Sequence, residues 1–453
     1  MQVSPVNEEK EVPGEDRWKF FHIVELVMKG QGYFYKRREK YKCTVFKVNM
    51  GVKGIHVCDK KGIRVLFNME KIYKEAAFGR LNYNICLLDG YTPSMFSNGV
   101  PHENQKTFLM QICKIAQQST IFETSVKLIK EYSTIWQNAD SQLQSNWEES
   151  VMNLTSDIFT ESFFGVRVDS NAMYTCLKGS WAKGSKLKKA MGGASCLKKA
   201  FRESPGIADI VKIAANSGVT EDQALMDVLF MLNFNSYGGV SGALRSCLAR
   251  LFILEQEYKQ KMRNEIITVL SNQELSIEAF KEMPHLHNFV LEILRMHPPV
   301  PVFFGRAKDN FILQSECGNF IVKKDELLVG NVHMAHRDES IFDQPNTFMP
   351  SRFENEALLE HIMFGYGPFN EEPTPKNHHC PGQDITLTVL KVVVSHILLY
   401  CEFALVARPE WTGKKLRRVG CPDKPMKLSY FKYTPTEAQV GEAQLQVTSI
   451  END

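Results

Sequence analysis

The sequence predicts a mainly α chain with a minor β portion, and three observations carry that expectation. Residues 101–265 contain few prolines and show apolar residues at helical spacing over most of their length. Two stretches, 42–67 and 300–355, instead hold short runs of β-branched and aromatic residues separated by turn residues. A final apolar run, 385–405, is interrupted by Thr386, Thr388, Lys391, Ser395, His396 and Glu402. Such a run reads as a buried helix and not as a membrane span.

Composition narrows the class further. With 43 % hydrophobic and 23 % charged residues, the chain is ordinary globular material, which excludes wholesale disorder. The formal net charge of +2 announces no polyanionic partner, so no nucleic acid is expected. A length of 453 residues allows roughly three domains. No linker divides them, so residues 17–433 read as one catalytic unit between a polar lead (1–16) and a polar tail (434–453). The eleven cysteines are scattered and include no C-x-x-C pair, so neither a disulfide framework nor a structural zinc site is expected. The first residues lack an apolar h-region and a basic n-region, which argues against a signal peptide or anchor. An intracellular, cytoplasmic or peripherally membrane-associated protein is the resulting expectation.

Taken in order, residues 17–30 are helix-like, with Phe20, Phe21, Ile23, Val24, Leu26 and Val27 on an apolar face. Residues 42–50 read as a strand. Residues 54–67 read as two further short runs around an Asp59-to-Gly62 turn. The Lys- and Gly-rich stretch 183–199 reads as a solvated loop. Strands are expected at 319–322 and 327–329, and a long helix from Pro381 to about Leu405.

The chemistry-bearing residues lie in the second half. In PHLHNFVLEILRMHPP, Glu292 and Arg295 sit three apart on one helical face, and Pro298-Pro299 stops the helix. Alone, such a pair is most simply a solvated ion pair. Arg352, within FMPSRF, is either a surface residue or a third member of a buried network in which two guanidinium forks share one carboxylate. Next come Phe364-Gly365-Tyr366-Gly367-Pro368 and then Asn377-His378-His379-Cys380-Pro381-Gly382, immediately before a long apolar helix. A cysteine at a helix N-terminus lies where the dipole favours a thiolate, a good soft ligand for iron. A lone cysteine is usually a small buried hydrophobe. The order of the three signals is far more specific than any one of them.

That order resembles the cytochrome P-450 superfamily of haem-thiolate proteins, over most of the chain and most strongly from about Leu225 to Phe403. The resemblance implies a cytochrome P-450-like haem-thiolate fold and a haem b cofactor with Cys380 as axial metal ligand. It implies that Glu292, Arg295 and Arg352 form a structural network beneath it. It also places Gly367 and His378 at the cofactor, His378 near the propionates, with His379 exposed. The stretch NEEPTPKNHHCPGQDI is longer than usual before the cysteine. It resembles the branch that metabolises fatty-acid hydroperoxides: allene oxide synthases, hydroperoxide lyases, divinyl ether synthases and epoxyalcohol synthases. Residues 33–50, VFFGRAK at 302–308 and FNSYGG at 234–239 resemble the same branch. In the last of these, Gly238 and Gly239 would let a flat group approach the helix. Read alone, it is a glycine-weakened helix packed on something flat.

Oxygen-activating members place an acid–alcohol pair in that helix, whereas NSYGGVSG has none. Asn235 offers an amide that both donates and accepts hydrogen bonds. The resemblance therefore implies homolytic O–O cleavage of a polyunsaturated fatty-acid hydroperoxide at Cys380-ligated haem. No dioxygen, NADPH or redox partner is expected, and peripheral membrane contact fits a lipid substrate. Aligning the branch's Met-Pro-Ser turn with Tyr91-Thr92-Pro93-Ser94 puts Leu87 at the position where allene oxide synthases carry Phe. A one-residue gap would put Leu88 there, and either leucine is equally an ordinary core residue. Met95, Phe96 and Val100 are expected to line the same apolar pocket. A leucine favours an epoxyalcohol synthase or hydroperoxide lyase over an allene oxide synthase, and epoxyalcohol synthase is the preferred expectation. A reductase-dependent monooxygenase and a non-catalytic haem or lipid-binding protein are the alternatives from other classes.

Overall fold

The computed structural model describes residues 9–14, 19–49, 53–75, 77–78, 81–414 and 420–435. Helices build most of the molecule around one large apolar cluster. At its centre runs a rod of three continuous segments: the helix Glu221–Phe230, a π-helical stretch Met231–Val240 and the helix Ser241–Ile253. Thr220 starts the rod with a capping box, its hydroxyl accepting from Gln223 N while the Gln223 side chain returns to the Thr220 N–H. Pro284–Met296, with proline in its first turn, and Gln383–Tyr400 pack beside the rod.

The β portion lies at one edge, over its own smaller core. Five strands pair in the order Val45–Asn49, Lys53–Val57, Leu327–Asn331, Val302–Ala307 and Ile72–Tyr73. Leu327–Asn331 is parallel to Lys53–Val57 and antiparallel to Val302–Ala307. A smaller sheet joins Glu9–Glu11, Gly318–Val322 and Phe311–Ser315. Part of the expected polar lead is thus a strand. The polar tail beyond residue 435 lies outside the described residues.

Four expectations change. Ser185–Arg202 is a helix, not a loop. Its buried Ala190, Ala194, Leu197 and Phe201 fall on one face, joined by Lys198, which pairs with Asp89 at 2.6 Å, while Lys186, Lys188, Lys189, Lys199 and Arg202 are exposed. Its small residues serve close packing: a Cβ on Gly193 would meet Ala172 O at 2.9 Å, and one on Gly179 would meet Ala190 Cβ at 2.0 Å. The second run of 54–67 is helical, because Asp59 caps Lys60–Ile63 by accepting from Gly62 N at 2.7 Å. The last helix ends at Tyr400 and gives way to strand Cys401–Leu405, which pairs with Leu428–Tyr433. Finally, Cys43 and Cys317 form a disulfide. Their separation of 274 residues hides the pair from any reading of spacings. Gln383–Tyr400 is long and apolar enough to cross a membrane, but 67 % of it is buried inside the protein, as a core helix requires.

Candidate active site

Two structures carry the residues singled out from sequence: the π-helical stretch of the rod and the loop that ends at Cys380. The loop is built from a turn whose ends meet at Met363 and Pro368 and whose Gly365 pairs with His379. Phe364 N donates to Gly367 O at 2.9 Å, and Tyr366 N donates to His378 O at 3.2 Å. Glycine is required twice. Gly365 has φ +66°, and a Cβ there would lie 2.7 Å from Cys380 N. A Cβ on Gly367 would strike the His379 ring at 2.1 Å. Gly367, His378 and Cys380, singled out from sequence, are thus one assembly.

Cys380 is a half-buried free cysteine just ahead of Gln383–Tyr400. Burial raises its pKa, while the Gly382 N–H and the Lys106 ammonium act the other way by favouring the thiolate. His379 is buried, against expectation, and its Nε2 hydrogen-bonds Pro368 O at 2.8 Å. His378 is buried too. Desolvation, together with His102, Lys74 and Lys106, holds it well below the usual imidazole range, so it is neutral.

The cations at this end are residues the sequence reading missed. The Lys106 ammonium donates to His379 O, and burial lowers its pKa to about 8. Lys74 is buried, donates to Leu66 O (2.8 Å) and Phe304 O (3.1 Å), and lies 3.5 Å from the Tyr366 ring centroid. His102 lies one helical turn before Lys106, stacks 3.8 Å from the His378 ring and hydrogen-bonds Ser94 O and Asn377 O. The available signal was His102 and Lys106 at i, i+4 on one helical face.

Glu292, Arg295 and Arg352 are brought together as expected and are buried. Glu292 Oε2 accepts from Arg295 Nε at 2.7 Å. Its Oε1 accepts from Arg295 Nη2 (2.8 Å), Met349 N (2.8 Å) and Arg352 Nε (3.2 Å). The remaining guanidinium donors reach the carbonyls of His336, Pro345, Asp343 and Thr347. One carboxylate thereby ties the Pro284–Met296 helix to the chain leading toward Cys380.

On the rod, Asn235, Gly238 and Gly239 share the π-helical stretch, a local widening of a kind often found at functional sites. Asn233 Nδ2 pins one side by donating to Met173 O at 2.7 Å. The Asn235 amide is half-buried and has no hydrogen-bond partner among the described residues. A Cβ on Gly239 would meet nothing within 4 Å, whereas one on Gly238 would lie 3.2 Å from Leu177. Phe234 closes an aromatic cluster with Phe230 (5.1 Å, stacked), Trp181 (5.4 Å) and Tyr83 (5.8 Å). Leu87 lies elsewhere, in the 3₁₀ turn Ile85–Leu88. It is fully buried, with its Cδ1 near Gly179. Leu88 is buried as well. Phe96 joins the aromatic cluster and Met95 packs on the core, whereas Val100 is 68 % exposed.

The family model for cytochrome P450 matches residues 197–430, a span holding the rod, the Glu292 network and the Cys380 loop. The chain belongs to the cytochrome P450 family. Its curated relatives place this P450 in the fatty-acid-hydroperoxide branch. An allene oxide synthase of Parthenium argentatum is 26 % identical over 438 residues, covering 85 % of this chain and 91 % of that one. A chloroplastic fatty acid hydroperoxide lyase of Solanum lycopersicum is 26 % identical over 444 residues, covering 85 % and 90 %. A solved cytochrome P450 with myristic acid superposes with a TM-score of 0.68 at 16 % identity, over 94 % of this chain and all of that one. That likeness shows the fold.

The P450 family carries haem on a cysteine thiolate, and the residues here fit such a group. Cys380 is a half-buried residue with a free thiol just ahead of a helix start. Gly239 leaves its side of the rod open. Lys74, Lys106, His102 and His378 all have pKa values lowered by burial, and no described carboxylate pairs with them. Such a cluster is short of negative charge, which the two carboxylates of a haem would supply.

Proposed function

We propose that this P450 isomerises polyunsaturated fatty-acid hydroperoxides to epoxy alcohols, using neither dioxygen nor an external reductant. The observation that carries the reading is the Asn235 amide, free on the π-helical stretch of a rod that has no Asp, Glu, His or Thr from Val228 to Leu254. Delivery of protons to bound dioxygen needs an acid–alcohol relay, and the rod from Val228 to Leu254 holds no acid. A substrate that already contains its O–O bond needs only to be oriented. The names of the relatives support the same substrate class.

When bound through Cys380, haem supplies the one-electron chemistry that breaks the O–O bond. The chain's part is placement. The Asn235 Nδ2–H donates to a hydroperoxide oxygen while its carbonyl oxygen accepts the hydroperoxide proton. The Phe96, Phe230, Phe234 and Trp181 rings seat the unsaturated chain and exclude water. Lys106 steadies the thiolate side by holding the His379 carbonyl beside Cys380.

Isomerisation keeps every atom of the substrate. Dehydration to an allene oxide must in addition remove a carbon-bound proton, and the rod beside Asn235 offers no carboxylate or imidazole to take it. Leu87 adds no aromatic ring to the pocket. It is buried in the turn Ile85–Leu88, and a leucine there supports a product other than an allene oxide.

The same reading puts peripheral membrane contact at the helix Lys19–Lys29. There Phe20 (64 %), Val27 (70 %) and Met28 (71 %) stand exposed together with Phe21, Ile23 and Val24.

The test supplies a polyunsaturated fatty-acid hydroperoxide to haem-loaded protein, anaerobically and without NADPH, in heavy-oxygen water. An epoxy alcohol retains both substrate oxygens. A ketol derived from an allene oxide takes one oxygen from water. A lyase yields shorter fragments. Either of the last two products refutes the epoxyalcohol assignment, and turnover that requires NADPH and dioxygen refutes the whole reading.

A further inference from the structure

Asp227 interrupts the run Ala224–Leu232, which is otherwise entirely apolar, and is 1 % exposed. A buried carboxylate with no cation beside it is costly, and desolvation pushes its pKa up to about 7. Both of its oxygens are used. Oδ2 accepts from Tyr91 Oη at 2.8 Å, and Oδ1 accepts from Ser94 N at 3.0 Å. The same turn is fastened from a second helix. Gln105 Nε2 donates to Tyr91 Oη and to Thr92 O (2.9 Å), and Gln105 Oε1 accepts from Ser97 Oγ at 2.5 Å. The turn carries Phe96, whose ring meets Phe230 at 5.6 Å and Tyr83 at 5.8 Å. Phe230 stacks on Phe234, the neighbour of Asn235.

We infer that Asp227 is a positioning residue that latches the 91–97 turn to the rod and thereby fixes the aromatic wall that seats the substrate's acyl chain beside Asn235. The inference rests on the hydroperoxide reading for the identity of the chain that is seated. It acts on seating and not on O–O cleavage, because Asp227 is 1 % exposed and both of its oxygens are already engaged by the 91–97 turn.

The test compares Asp227→Ala, Asp227→Asn, Tyr91→Phe and Ser94→Pro in the haem-loaded enzyme. It reads KM and kcat separately, the affinity for the unreactive hydroxy fatty acid, and backbone hydrogen exchange over 91–97. Asp227→Ala loses both bonds, and about a tenfold rise in KM follows with kcat within about twofold. Exchange over 91–97 quickens, and hydroxy-acid binding weakens in parallel with KM. Asp227→Asn keeps an acceptor for Ser94 N, and its Nδ2–H can donate to Tyr91 Oη, so KM changes about threefold or less. Tyr91→Phe loses both the bond to Asp227 and the one from Gln105 Nε2, so its KM rises more than that of Asp227→Asn. Ser94→Pro removes the backbone donor at the first position of the 3₁₀ turn Ser94–Phe96, where proline fits. It keeps the proposal testable should Asp227→Ala fail to fold, and it should quicken exchange over 91–97 and raise KM.

Unchanged KM and exchange in Asp227→Ala and Ser94→Pro overturn the inference. So does a fall in kcat at constant KM. A wild type that turns over no hydroperoxide overturns the functional reading instead, while the exchange measurement still decides the latch.

Discussion

Replacing Glu292 with Gln tests the buried network with almost no change of shape. In the wild type one carboxylate faces two guanidinium groups and accepts four hydrogen bonds, three at Oε1 and one at Oε2. Glutamine keeps a single acceptor oxygen. Its best placement is at Oε1, which saves the bonds to Arg295 Nη2, Arg352 Nε and Met349 N. The amide N–H₂ then points at Arg295 Nε–H, donor against donor, in a site with no exposure. The negative charge also disappears, leaving two buried guanidinium groups with no counter-ion inside the triad. Removing one partner of a buried pair costs about 3–5 kcal/mol, against a typical total stability of about 5–15 kcal/mol. The assay is denaturant unfolding of haem-loaded protein, followed by both far-UV dichroism and haem absorbance. A large fall in midpoint is expected, with haem released earlier than from the wild type. Arg352→Ala should be milder, because the two-pronged Arg295 pair survives. A Glu292→Gln midpoint within about 1 kcal/mol of the wild type would refute the argument that this carboxylate carries the charge balance of the core.

Four further outcomes are expected. Asn235→Ala should lower kcat/KM about a hundredfold, the scale of losing one oriented donor, with the haem spectrum unchanged; full activity would remove Asn235 from the reaction. Lys106→Met should weaken haem retention and Lys106→Arg should restore most of it, as read by haem transfer to an apo-globin acceptor. Asp227 makes stability depend on pH. Its folded pKa is raised to about 7, so its stabilising contribution is full below the unfolded carboxylate range near 4 and is lost as pH climbs to about 7. That loss runs at on the order of 1.4 kcal/mol per pH unit, so unfolding across this window should show the decline in the wild type and a flatter profile in Asp227→Asn. Replacing both Val27 and Met28 with Glu should abolish sedimentation with anionic phospholipid vesicles and leave turnover of dispersed substrate intact; undiminished vesicle binding would rule out the Lys19–Lys29 face.

The residues legible in the sequence share one property: their chemistry is fixed by local order. Glu292 and Arg295 occupy adjacent turns of one helix, Cys380 sits at a helix start, and Gly365 and Gly367 satisfy backbone demands a few residues away. The residues that stayed hidden depend on contacts between distant segments. Lys74 and Lys106 look like surface lysines until strand and helix bury them against the Cys380 loop. Cys43 and Cys317 meet only because the sheets bring strands from the first part of the chain beside those of 302–331. The 185–202 helix was hidden for another reason. Its glycines reduce helix propensity, yet they allow the Ser170–Gly179 helix to approach so closely that burial outweighs the loss. Leu87 illustrates a third limit, since a short aligned segment supplies a side chain's identity without its direction.

These placements divide the labour within the site. The carboxylate of Glu292 is spent on holding the chain that leads to Cys380, and that of Asp227 on holding the substrate wall. Neither acid is left beside the rod's reactive face. At that face the neutral amide of Asn235 has no hydrogen-bond partner among the described residues, and in the proposed reaction it orients the hydroperoxide without serving as an acid. Cations gather instead near Cys380, at Lys74 and Lys106, where an anionic cofactor would relieve the cost of burying them. A monooxygenase needs an acid relay on the rod, and a dehydratase needs a base there. The isomerisation proposed above needs neither, and so the residues around Asn235 suffice for it, as they would for a lyase, which the product distinguishes.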